Sequence, residues 1–104
     1  MIRHIVLIRF RDDVSEGTIQ AIFDDLRKIE GRIPGLGAVH SGRSESPEAI
    51  ERGYMHGFTA DFADWDALAA YQEHPDHKRV SAALVDHAEG GLDGILVFDL
   101  AFGG

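Results

Sequence analysis

The chain has 104 residues and carries 18 acidic against 10 basic side chains, a formal net charge of −8 at pH 7. This length predicts one domain over residues 1–104, and the acidic surface disfavours nucleic acid and anionic membranes as partners. The chain lacks cysteine and any apolar run long enough to span a membrane, so we expect a soluble, cytoplasmic protein without disulfides or thiolate chemistry.

The first half of the chain predicts a strand, a helix and a second strand. Ile2–Phe10 is a β-branched apolar run, and charged residues follow it at once, so it predicts a strand rather than a signal peptide. Ser15 is suited to cap a helix whose apolar residues recur at helical spacing as far as Ile33. Pro34 and Gly35 then end this helix.

The second half predicts strands around two consecutive helices, the second of which begins at Pro75. The expected bounds are 36–43 and 54–62 for the middle strands, 64–71 and 75–88 for the helices, and 95–102 for the last strand. A charged loop is expected over 44–53. The resulting order, β-α-β-β-α-α-β, is typical of a ferredoxin-like α+β sandwich with helices on one face of a four-stranded sheet.

Both faces of the first and last strands are apolar, although helices can cover only one of them. An uncovered face with Ile5, Leu7, Ile95 and Val97 would be a large exposed apolar patch. The simplest cover is the same face of a second copy, which predicts a two-fold homodimer with a barrel-like interior. The alternative is a monomer in which this face is only shallowly buried.

Four polar side chains are predicted to meet between the sheet and the helices. Pro75 places Tyr71 at the end of one helix and His77 in the first turn of the next. Strand parity places His4 and His56 on the helix side of the sheet. An apolar cavity with a few polar groups is typical of a small-molecule site. The predicted apolar walls are Val6, Phe23, Phe58, Trp65, Leu68 and Leu84.

Several segments together resemble the stress-responsive dimeric α/β-barrel (Dabb) family. They are Ile-Arg-His-Ile-Val-Leu-Ile-Arg-Phe at 2–10, the turn at 34–35, Gly-Tyr-Met-His-Gly-Phe at 53–58 and Tyr-Gln-Glu-His-Pro-Asp-His at 71–77. The resemblance implies a ferredoxin-like homodimer. One plant member closes a linear polyketide by intramolecular aldol condensation without metal or organic cofactor. That similarity implies pocket roles for His4, His56, Tyr71 and His77, with Tyr71 and His77 as the catalytic pair.

This pair predicts a cofactor-free acid–base enzyme, either a cyclase, an isomerase or a lyase, that acts on a carbonyl-containing small molecule. Neutral His77 would remove a proton beside the carbonyl, while Tyr71 would hold the base or polarise the carbonyl oxygen. No cofactor and no metal ion is expected.

Three other functions are compatible with the same residues. The first is a non-catalytic small-molecule-binding or stress-associated protein that uses the same pocket. The second is a metal or haem protein that uses His4, His56 and His77, because three imidazoles can hold zinc, copper or iron. The third, an oxygen-dependent monooxygenase, rests on fold analogy alone.

Overall fold

A computed structural model describes residues 1–103 and confirms the predicted order of elements. None of the helices in this range is long and apolar enough to cross a membrane. The elements are β1 (Ile2–Ile8), α1 (Glu16–Arg27), β2 (Leu36–Arg43), β3 (His56–Phe62), α2 (Trp65–Glu73), α3 (Pro75–His87), a short 3-10 helix (Gly91–Gly94) and β4 (Ile95–Ala101).

Helix α1 is shorter than its apolar pattern predicted. Ser15 caps it as expected, with its side-chain oxygen accepting a backbone N–H of the first turn. The helix ends at Arg27 rather than near Ile33, and Gly31 then adopts a positive φ of 80°. Ile29 and Ile33 are nevertheless buried in the turns that follow. Their burial explains why the apolar periodicity continues beyond the helix.

The four strands form one antiparallel sheet in the order β2-β3-β1-β4. Burial alternates along β1, because every second side chain points to the helices and the others point away. We call the side of His4, Val6 and Ile8 the helix face, and the side of Ile5 and Leu7 the outer face. The core lies between the helix face and the helices, and its largest fully buried side chains are Tyr71, Phe23, Phe62, Ile8, Leu26 and Ile29.

The register of β4 corrects one prediction. Residues directly opposite each other in an antiparallel pair share a face. Phe98 lies opposite Ile5, whereas Val97 lies opposite Val6, and Ile95 has the same parity as Val97. Ile95 and Val97 therefore belong to the helix face, and placing them on the outer face was wrong. On β1 and β4 the outer face consists of Arg3, Ile5, Leu7, Leu96, Phe98 and Leu100.

Candidate functional site

A single residue, His74, joins α2 to α3. Its backbone N–H donates to the carbonyl of Tyr71 at 3.1 Å and closes α2, and its Nδ1 accepts the N–H of Asp76 at 3.1 Å and caps α3. Pro75 occupies the first position of α3, where its missing N–H costs nothing. This compact junction holds Tyr71 in the last turn of α2 and His77 in the first turn of α3. Their ring centroids are 4.2 Å apart.

His4 approaches the same point from β1. Its ring lies 5.8 Å from that of Tyr71 in an edge-on arrangement. The Nδ1–H of His4 donates to Oδ1 of Asp99, directly opposite on β4, at 2.6 Å. The imidazole is buried, while the carboxylate keeps some contact with solvent. This bond fixes the orientation of His4 and, in the neutral ring, leaves Nε2 as the acceptor.

His4, Tyr71 and His77 line one cavity of about 190 Å³ between the helix face and α3. Most of its wall is apolar, which is typical of a site for a small molecule with few polar groups. The remaining lining residues are Val6, Phe58, Gln72, Val80, Ser81, Leu84, Val85, Leu92, Ile95 and Val97.

Tyr71, which lines this cavity, carries a buried hydroxyl without a hydrogen-bond partner within the described residues. The side chain is completely buried, and among residues 1–103 no group forms a hydrogen bond with the hydroxyl. Burial raises the pKa of Tyr71 well above its ordinary value, so the hydroxyl keeps its proton. An unpaired buried hydroxyl costs about 1–3 kcal/mol. Its capacity to donate a hydrogen bond is therefore unused within residues 1–103.

His77 has the properties of a base. Its Nδ1–H donates to the carbonyl of Gln72 at 3.2 Å, so the neutral ring keeps a lone pair on Nε2. Burial lowers the pKa of His77, the Gln72 carbonyl raises it to a lesser extent, and the nearby charge of Lys78 adds a smaller lowering. The imidazole is therefore neutral at pH 7 and able to accept a proton.

Comparison with known proteins places this geometry in a family. The model of the stress responsive A/B barrel domain matches residues 2–102. The chain belongs to this family. The A/B barrel prediction made from the sequence is thereby confirmed, and so is the ferredoxin-like fold.

The relatives of this A/B barrel protein include both named enzymes and proteins without a named reaction. Stress-response A/B barrel domain-containing protein HS1 from Arabidopsis thaliana is 31% identical over 98 residues, covering 94% of this chain and 86% of the relative. Olivetolic acid cyclase from Cannabis sativa is 24% identical over 76 residues, covering 73% and 75%. A dimeric ferredoxin-like protein of unknown function from Jannaschia sp. CCS1 matches with a TM-score of 0.91 and 32% identity, covering 97% of this chain and 98% of that one.

In this A/B barrel protein His56 lies apart from the cavity. It stands at the first position of β3, where its Nε2–H donates to both carboxylate oxygens of Glu16 at 3.0 Å and its ring packs edge-on against Phe10. Arg43 also donates to Glu16 at 2.8 Å. These bonds, that of His56 foremost, lower the pKa of Glu16. Glu16 thus ties the start of α1 to β3 through His56 and to β2 through Arg43.

The structure therefore brings together three of the four predicted polar residues. His4, His56 and His77, the set considered for a metal or haem, do not converge. Within residues 1–103 no group of three His, Cys, Asp or Glu side chains is arranged to hold a metal ion.

Half of the predicted wall residues line the cavity, namely Val6, Phe58 and Leu84. Phe23 and Leu68 are buried in the core but outside the cavity, and Phe23 packs behind Phe58 at 6.3 Å between ring centroids. Trp65 is 56% exposed, because it is the first residue of α2 and lies beyond the edge of the core.

Sequence reasoning missed Asp99, the hydrogen-bond partner of His4. The available signal was a single acidic residue within the otherwise apolar strand Ile-Leu-Val-Phe-Asp-Leu-Ala. With the observed register, its parity would have placed it beside His4 on the helix face.

Proposed function

We propose that this A/B barrel protein is an acid–base enzyme that acts on a carbonyl-containing small molecule with its own side chains as acid and base. The observation that carries the proposal is that Tyr71, whose buried hydroxyl has no partner among residues 1–103, lines the same cavity as the neutral imidazole of His77. A hydrogen-bond donor and a base that meet in an apolar cavity form the minimum set for removing a proton beside a carbonyl.

The proposed reaction begins at His77. Its Nε2 takes a proton from the carbon next to the substrate carbonyl, and the electron pair of the broken C–H bond forms an enolate. The Tyr71 hydroxyl donates a hydrogen bond to the carbonyl oxygen as negative charge develops there. In a cyclase the enolate carbon then attacks a second carbonyl of the same molecule. The new alkoxide receives the proton held by His77, which restores the neutral base.

His4 is proposed to orient the substrate. Asp99 accepts the Nδ1–H of His4, so Nε2 of the neutral ring can accept a hydrogen bond from a hydroxyl or enol group of the substrate. Where the apolar walls exclude water, the hydrogen bond from Tyr71 to the developing charge is stronger.

The similarity to olivetolic acid cyclase supports an enzymatic role and favours a cyclase over an isomerase or a lyase. A second candidate is a stress-associated protein that binds a small molecule in the same cavity without turnover. It is favoured by the higher identity to stress-response protein HS1, whose name carries no reaction.

A ligand screen by thermal shift tests the proposal, with aromatic acids, polyketide-like ketones, haem and divalent metal ions as probes. We expect a ketone to raise the melting temperature of the wild type and not that of His77→Ala. His87→Ala is the matched control, because His87 ends the same helix and its imidazole hydrogen-bonds the Ala83 carbonyl, away from the cavity. Product analysis of the ketone hits then separates an enzyme from a binding protein. Equal shifts in all three proteins would place the site elsewhere.

The rate of turnover of a ketone hit is expected to rise with pH and then level off. Protonated His77 cannot accept a proton, and burial lowers its pKa below the ordinary value of about 6.5. The midpoint should therefore lie below pH 6.5, with nearly full activity at pH 7. A pH–rate profile of kcat/KM measures it. A midpoint above 6.5 would argue against a buried neutral His77 as the base.

We also propose that the protein is a homodimer that buries the outer face of its sheet. Phe98 is 56% exposed on that face, within an apolar patch. The charged pair on the same face is already neutralised within one subunit, because Arg3 donates to both carboxylate oxygens of Asp61 at 2.8 and 3.0 Å. When a partner subunit covers this face, the charges of Arg3 and Asp61 therefore still neutralise each other. The dimeric state of the Jannaschia protein supports a homodimer.

A further inference from the structure

The cavity has an apolar side that the subunit leaves open. Leu92, in the 3-10 helix, and Val97, on the helix face of β4, both line the cavity. They are nevertheless 71% and 55% exposed. Val97 lies on β4, which is an edge strand of the sheet. An apolar wall that faces solvent is poorly suited to excluding water from a base and a developing charge.

A third exposed apolar side chain belongs to the same end of the sheet. Ile50 is 60% exposed on the β2–β3 segment, which we define as residues 44–55. Arg43 on β2 pairs with His56 on β3, and His56 pairs with Ile8 on β1. Ile8 in turn pairs with Ile95, the first residue of β4. The β2–β3 segment and Leu92 therefore lie at the same end of the sheet, at its two opposite edges.

The β2–β3 segment also forms a groove of about 530 Å³ beside the outer face. Gly42 and Gly57, which lack side chains, lie on its floor, and Ile5, Leu7 and Ile50 contribute to its walls. The opposite edge of the outer face carries the protruding side chains of β4. One subunit thus has a groove at one edge of this face and a ridge at the other.

Two arrangements pack two outer faces around a two-fold axis. If the axis runs across the strands, β4 of one subunit packs against β4 of the other and the two Phe98 side chains are in contact. Both grooves then stay empty. If the axis runs along the strands, the β4 ridge of each subunit enters the groove of the other. The second arrangement buries the apolar side chains at both edges, so it is favoured by the larger apolar area removed from water.

We propose that the axis runs along the strands and that Ile50 of the partner subunit packs against Leu92 and Val97. Rotation about a two-fold axis along the strands brings the same ends of the two sheets together. It also sets the β2 edge of one sheet against the β4 edge of the other. The β2–β3 segment then arrives beside the start of β4, where the cavity is open. Each binding site is completed by the other subunit, and it takes ligands whose end remote from Tyr71 is apolar. This inference rests on the proposed homodimer.

Cross-linking tests the arrangement cleanly because the chain contains no cysteine. Ile50→Cys and Leu92→Cys chains are co-expressed with different affinity tags, oxidised, and analysed by mass spectrometry and non-reducing electrophoresis. We expect a covalent dimer that joins one chain of each kind. The control pairs Ile50→Cys with Leu100→Cys, at the other end of β4, and should give no such link.

Two results would overturn the proposal, and they are distinguishable. If sedimentation shows a dimer but the 50–92 link does not form, or Phe98→Cys chains link to one another, the axis runs across the strands. If sedimentation of the wild type shows a monomer, the homodimer itself is wrong.

Discussion

Replacing Tyr71 by phenylalanine is expected to stabilise the fold while it impairs the site. The hydroxyl is buried without a hydrogen-bond partner among residues 1–103, so its removal should raise the free energy of unfolding by about 1–3 kcal/mol. Loss of the donor to the developing oxyanion should lower kcat on a ketone hit roughly 10²–10³-fold. Urea unfolding and steady-state kinetics on the same protein preparations measure the two effects.

The chain offers a matched control for this variant, since Tyr54 is its other tyrosine. Tyr54 lines the groove beside the outer face and not the cavity. Tyr54→Phe should leave turnover unchanged. A loss of stability in Tyr71→Phe would show that the hydroxyl has a structural partner. If Tyr71→Phe is more stable and retains full turnover, Tyr71 has no role in the reaction.

An aspartate at Phe98 is expected to separate the proposed dimer. The substitution places an unpaired carboxylate in the apolar interface, and the two-fold symmetry introduces it twice. We expect the dissociation constant of the dimer to rise at least about a hundredfold, which corresponds to about 2.8 kcal/mol. Sedimentation velocity over a series of protein concentrations measures this change.

Trp65→Asp is the control for that experiment. Trp65 is an apolar side chain with the same 56% exposure as Phe98, but it lies at the start of α2 rather than on the sheet. Trp65→Asp should leave the dissociation constant of the dimer unchanged. A difference between the two variants then shows that the outer face forms the interface, and is not a general effect of replacing an exposed aromatic side chain. An unchanged dimer with Phe98→Asp would contradict burial of the outer face.

The order of elements could be predicted from local signals, because each boundary has its own chemistry. Ser15 and Asp64 cap their helices through side-chain oxygens, and Pro75 starts α3. These signals act within a few residues and need no knowledge of the rest of the fold. The junction that holds Tyr71 and His77 is of this kind, which is why the sequence was sufficient to place the two rings close together.

Features that depend on pairing between distant strands could not be predicted in the same way. Both parities of β4 are apolar, so apolarity did not decide whether Val97 or Phe98 faces the helices, and the register with β1 decided it. The same register places Asp99 beside His4. His56 points to the predicted side of the sheet, but as the first residue of β3 it lies beside Glu16 and not at the cavity.

The junction at His74 has a consequence for how this family can diversify. The proposed acid–base pair comes from one short stretch, residues 71–77, whose geometry is set by its own caps and proline. The other residues that line the cavity come from outside this stretch, chiefly from β1, β3, the later turns of α3 and the start of β4. If the proposed function holds, reactivity and selectivity are encoded in separate segments of the chain. Substitutions in the cavity walls can therefore change which molecule fits while residues 71–77 stay the same.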